Sequence, residues 1–182
     1  MTRPPLLLVL ALLLGACAAP RSPLERMYQD LREDDRAAFT DARGARELAE
    51  RQRVRIAEVR ALHARGEIAG AADHLHAAAI LASSEQLEDL DLAEELALEA
   101  ARLGEDRGFR VAAEAIDRRQ VKLGMPQRFG TQYVWDVPTR TWKLFPVDPR
   151  TSDVERAAMG VPPMSALLEG ERSLNAPEAA PK

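Results

Sequence analysis

Glycine stops divide a long run of helical periodicity, and this alternation fixes the fold class before any other feature of the chain. Gly66, Gly104 and Gly124 each follow a segment in which apolar residues return every three or four positions, the spacing of one helix face. Leu24 to about Phe39 reads as a first, strongly charged helix. Leu48 to Arg65 reads as a second, with Val54, Ile56, Val59 and Leu62 along an imperfect apolar stripe, and Asp41 to Gly44 as the break between the two. A third spans about Ala71 to Ala82 and places Leu75, Ala78, Ala79 and Ala82 on one side. Ser83 is expected to cap a fourth, with Gln86 three residues on as its capping-box partner. That helix turns Leu90, Ala93, Ala97, Ala100 and Leu103 inward and Glu85, Glu88, Asp91, Glu95 and Glu99 outward. A fifth starts near Asp106, uses Phe109, Ala112, Ala113, Ile116 and Leu123, and stops at Gly124 with Pro126 beyond.

The alanine-lined pair from Ala71 to Gly104 resembles a tetratricopeptide-type helical hairpin, because small contact residues let two backbones approach closely. A tryptophan–glycine–tyrosine pattern is missing, as is a second copy at a period of about 34 residues. The expected fold is therefore mainly α: stacked antiparallel helical hairpins, TPR-like, with a small C-terminal β-hairpin and a short helix. The hairpin follows from a change of character after Gly124. Six of the eight aromatic residues fall between positions 109 and 145, and Thr131–Asp136 and Thr141–Phe145 are β-prone around a turn at Val137-Pro138-Thr139-Arg140. A hairpin alone is marginal in water, so it must pack on the helices. A short helix follows from about Asp153 to Met159, stopped by Gly160 and Pro162-Pro163, and the polar, Pro- and Ala-rich chain from 170 to 182 reads as a disordered tail.

With 182 residues the chain suits one domain, placed here at 24–169. Its net charge of −4 gives no basic field to draw nucleic acid. A single cysteine excludes an internal disulfide framework and any multi-cysteine metal site. Nothing in the pattern implies a cofactor.

Residues 1–16 read as an address, a lipoprotein signal peptide. Arg3 supplies a short positive region, and Leu6 to Leu14 is an apolar run too short to cross a hydrocarbon core as a helix. The sequence Leu14-Gly15-Ala16-Cys17 resembles the lipobox of bacterial lipoproteins, which implies cleavage before Cys17 and acylation of its thiol. An ordinary secretory signal, cut at Ala16 or Ala19, is the alternative. Residues 17–23 then form a tether. Ala18 in place of an aspartate implies, by the same resemblance, the outer membrane facing the periplasm. The membrane is thus reached through an N-terminal lipid, and a protein of the envelope is the possible partner.

The densest unusual stretch is Asp117-Arg118-Arg119 followed by Gly124-Met125-Pro126-Gln127-Arg128-Phe129-Gly130-Thr131-Gln132. Residues 72–168 resemble an uncharacterised bacterial family, a domain of unknown function, whose signature is an Asp-Arg pair and then Gly-x-Pro-Gln-x-aromatic-Gly-Thr-Gln. The resemblance implies no activity. Phe129 lacks the hydroxyl of the commoner tyrosine, and Asp73-His74-Leu75-His76 stands where the family has a Gln-His pattern. Physically, glycines and proline shape a loop, while Gln127, Thr131 and Gln132 supply donors and acceptors beside Gly130. Asp117 and Arg118 could hold this loop by charge-assisted bonds. Two roles stay open: a self-satisfied polar staple, or a pocket for a polar ligand with an aromatic wall.

Other chemistry finds little support. The loop lacks a P-loop's Gly-Lys-Ser/Thr ending, and no G-x-S-x-G occurs. His74 and His76 are two apart and diverge by about 200° on a helix. His63 lies on another helix, with no acid visibly placed to complete a metal site. One of His74 and His76 is expected to pack against the Gly124–Gln132 loop. The seven acids from Glu85 to Glu99 read as a solvated face. The expected function is a lipid-anchored, non-catalytic binding or scaffolding module. The rival is a small envelope hydrolase or transferase using Asp117 or His74 with Gln127–Gln132, and it requires His74, His76, Asp117 and Gln132 to converge on one cleft.

Overall fold

A computed structural model describes residues 22–36 and 42–176. The chain is mainly helical, in the order α1 (Pro23–Arg36), α2 (Ala42–Ala64), α3 (Gly70–Leu81), α4 (Leu87–Arg102), α5 (Arg107–Lys122), β1 (Tyr133–Asp136), β2 (Thr141–Leu144), α6 (Asp153–Ala158) and α7 (Met164–Leu174). Among the described residues no helix is long and apolar enough to cross a membrane. The address at residues 1–16, Cys17 and the tether up to position 21 lie outside the described residues, as do 177–182 of the tail.

Helices α4 and α5 run antiparallel. Gly108 at the start of α5 faces Ala97 and Ala101 near the end of α4, while Arg119 and Lys122 at its other end reach Asp91, Glu94 and Glu85. Alanine packing brings the two axes so close that a Cβ on Gly108 would sit 2.2 Å from the Ala97 carbonyl oxygen. The main core joins Leu24 and Leu31 of α1, Ile56, Val59 and Leu62 of α2, Ile80 and Leu81 of α3, Ala93, Leu96 and Ala97 of α4 and Ala112 and Ala115 of α5. A second, smaller core gathers Ala113, Phe129, Val161 and Leu167. Helix α5 therefore serves both, with Ala112 and Ala115 in one and Ala113 in the other.

The hairpin is antiparallel, with Tyr133 opposite Leu144 and Trp135 opposite Trp142 around the turn at 137–140. It packs on α7, a helix the sequence reading lacks. This helix runs to Leu174, past the point at 170 where a disordered tail is expected, and the sheet is what holds it there. Glu171 accepts the Leu144 N–H at 2.7 Å, and Asn175 bonds both main-chain groups of Trp142 at 2.7 Å.

Several local expectations need correction. Residues 42–44 are helical, so Gly44 is no break and α2 begins six residues before Leu48. The N-cap of α4 is Gln86, with no side-chain cap bond; the hydroxyl of Ser83 donates to the Ile80 carbonyl at 2.6 Å, and Ser84 bonds Asp89 and the Gln86 N–H instead. The capping box forms at α6, between Ser152 and Glu155. Leu103, Phe109 and Leu123 are exposed, because each lies at a helix terminus where no neighbouring element covers it.

Candidate functional site

Asp117 lies one helical turn after Ala113, so it shares the α5 face that meets the second core. It is fully buried, and its carboxylate is surrounded by the loop that follows. Oδ1 accepts the N–H groups of Arg128 (2.7 Å) and Phe129 (2.8 Å). Oδ2 accepts those of Gly130 (2.8 Å) and Thr131 (2.9 Å) and the Thr131 hydroxyl (2.9 Å). Four successive main-chain donors thus converge on one anion, a concave nest that glycine makes possible. Gly130 has φ +97°, and a Cβ there would strike Leu167 Cδ1 at 2.5 Å.

Gln127 is the second buried polar group of the loop. Its Oε1 accepts the Gln132 N–H at 2.8 Å, and its Nε2 donates to the carbonyls of Phe145 (2.8 Å) and Gln132 (3.0 Å). The amide therefore bridges the two chains where the hairpin ladder ends and acts as an added rung. The main chain of Gln127 also pairs with Pro146 and Asp148, both at 2.8 Å. Gln132 is only half-buried; its Nε2 donates to Thr131 Oγ1 at 2.9 Å. Asp117 holds the loop as expected, but Arg118 does not. It points away, to Glu85 near the start of α4 at 3.0 Å.

The histidines lie elsewhere. His76 stacks on Tyr28 of α1, with ring centroids 4.6 Å apart and planes 18° from parallel, and its Nδ1 is buried without a partner among the described residues. Burial pushes its imidazole below the ordinary value; Asp73, Glu25 and Glu105 oppose this and Arg107 reinforces it. The Nδ1 of His74 lies 2.8 Å from the Gly70 carbonyl, and His74 borders a surface depression that it shares with His63, Glu95 and Glu99. Neither histidine packs on the Gly124–Gln132 loop, which is closed instead by Phe129, Leu167 and Val147. Among the described residues no three His, Cys, Asp or Glu side chains stand close enough to share a metal ion. His74, His76, Asp117 and Gln132 do not meet in one cleft.

The acidic face of α4 is largely neutralised inside the fold. Glu85 pairs with Arg118 and Lys122, Arg119 with Asp91 and Glu94, and Glu99 with Arg102. Asp89 is buried and held by Arg60 of α2 through two bonds at 2.5 and 2.7 Å. This pair marks a feature that sequence periodicity missed. An open groove of about 990 Å³ runs between α2 and the α3–α4 connection. It is lined by Ala45, Leu48, Ala49 and Ile56 of α2, Ser84 of the connection, Asp89 of α4 and Arg118 of α5. The signal is present in the stripe Ala45, Ala49, Arg53, Ala57, which repeats every four residues and leaves one flank of α2 uncovered. Compared with protein-family models, curated proteins and solved structures, the chain matches none.

Proposed function

We propose that this protein is a lipid-anchored, non-catalytic binding module of a bacterial envelope, tethered through Cys17. The groove between α2 and the start of α4 carries this reading: it is open and combines apolar lining residues such as Leu48 and Ile56 with charged ones such as Arg53, Arg60 and Asp89, the mixture expected of a recognition surface. The signature loop supports it from the other side. The oxygens of Asp117 are filled by the loop's own donors, which leaves no free lone pair to act as a base. The proposed likeness to the uncharacterised family is carried by Asp117, Arg118 and the Gly124–Gln132 loop, of which Asp117 and the loop are bonded to each other. The outer membrane, periplasmic side, remains the proposed location. To test the binding role, envelope extracts are passed over the immobilised protein and over Ala49→Trp, which adds bulk at an exposed residue lining the groove. A partner retained by the first and lost by the second, at equal melting temperature, is the expected result; equal retention by both would overturn the groove as the site.

A further inference from the structure

The two outer edges of the β-hairpin are treated differently. The Phe145 N–H donates to the Gln132 carbonyl at 3.0 Å, and bonded and non-bonded pairs alternate along antiparallel strands. Val134–Lys143 and Asp136–Thr141 are therefore the bonded rungs, while Tyr133, Trp135, Trp142 and Leu144 turn their main-chain groups outward. On the β2 side these groups are taken. Asn175 bonds the N–H and the carbonyl of Trp142, and Glu171 accepts the N–H of Leu144, all at 2.7 Å. Two side chains from the end of α7 stand where the backbone of a third strand would run.

On the β1 side no described residue does this. The outward N–H and C=O groups of Tyr133 and Trp135 have no partner among the described residues. Exposed strand edges are commonly blunted by proline, lysine, a bulge or a covering segment. The β1 sequence, Tyr-Val-Trp-Asp, is short and ends in a charge, but it has no proline, lysine or bulge, and among the described residues only the β2 edge is covered. Trp135 is 43% exposed, and its ring meets Trp142 edge-on at 5.6 Å, on the same sheet face as Tyr133 and Leu144.

We infer that the outer edge of β1 docks an extended peptide segment of a partner protein, which adds as a third strand. Donor–acceptor pairs two residues apart along a strand, about 7 Å, match another extended main chain, whereas a helix has already used its own groups. The neighbouring side chains define the segment further. Its residues beside Tyr133 and Trp135 are apolar or aromatic, as Leu144 and Trp142 are on the inner side. Those on the opposite face lie by Val134 and Asp136, whose carboxylate is already held by Lys143 at 2.7 Å. This gives the proposed binding role a second surface and a partner chemistry; it rests on that role but needs neither the groove nor the lipid.

The test uses the full-length protein and the pentapeptide Thr-Trp-Lys-Leu-Phe, acetylated and amidated, which repeats residues 141–145 and can set Trp against Trp135 and Leu against Tyr133. At millimolar peptide, exchange of the Tyr133 and Trp135 amide protons is expected to slow by about tenfold or more. The same peptide N-methylated at its Trp and Leu nitrogens keeps every side chain and should give no protection. Unchanged exchange, or equal protection by the methylated peptide, overturns the inference. So does a concentration-dependent dimer that protects the same amides without peptide, which would assign the edge to a second copy of the chain. An Ala49→Trp chain that still takes the peptide while losing its extract partner separates this edge from the groove.

Discussion

Among individual residues, Asp117 matters most. Burying a carboxylate is costly unless its acceptors are filled, and here five donors fill them, so the charge serves the fold. Asp117→Asn replaces one acceptor oxygen with a donor facing main-chain N–H groups. It is expected to cost about 3 kcal/mol, read as a drop of roughly 6–12 °C in melting temperature. Gln127→Ala leaves the Phe145 carbonyl and the Gln132 N–H without their partner and should cost about 2 kcal/mol. Gln132→Ala, at a half-buried position, should cost under about 1 kcal/mol. A scan showing equal losses at Gln127 and Gln132 would contradict the staple role given to the loop. Of this site the sequence displays the residue types and their order. It cannot display which of Asp117 and Arg118 turns toward the loop, because adjacent helix residues diverge by about 100° and only packing chooses between them.

Between elements, two contacts set the architecture. Gly108 lets α5 lie against α4 with no room for a methyl group, and the atoms that crowd it most belong to backbone that cannot move aside. Gly108→Ala should therefore destabilise by about 1–3 kcal/mol despite the helical preference for alanine, measurable by urea unfolding. The packing of α1 on α3 includes one aromatic pair, Tyr28 with His76. The native His76 ring gives up its proton more readily than an ordinary imidazole because it is buried. Between the lower native value and the unfolded value of about 6.5, the unfolded chain binds more protons, so stability falls as pH drops through that window. His76→Gln should flatten this part of the stability-versus-pH curve; an unchanged slope would show that the stack is not its source. Helix ends are legible where glycine punctuates, at Gly66, Gly104 and Gly124. Ser83 misleads, because its hydroxyl bonds back into α3 instead of forward into α4.

For the molecule as a unit, the anchor and the body pose separate questions. With lipid on Cys17, about 0.8 kcal/mol per buried methylene makes a multiply acylated terminus a firm attachment. Cys17→Ser should then move the protein from the membrane to the soluble fraction without changing the melting of the helical body. Undiminished membrane fractionation would remove the tether from the proposed function. The body itself presents two surfaces, the α2–α4 groove and the β1 edge, and both are left open by the way neighbouring elements stop short of them.

Local patterning in the chain suffices for the mainly helical class, the helix ends at Gly66, Gly104 and Gly124 and the hairpin with its turn at 137–140. These depend on periodicity and on residues that terminate elements, which one stretch of chain contains in full. Contacts between distant stretches settle the rest: that α7 forms and holds the β2 edge, that His76 meets Tyr28, and that a groove lies beside α2. Each of these joins residues more than 25 positions apart, and their energy exists only once burial has brought both partners out of water.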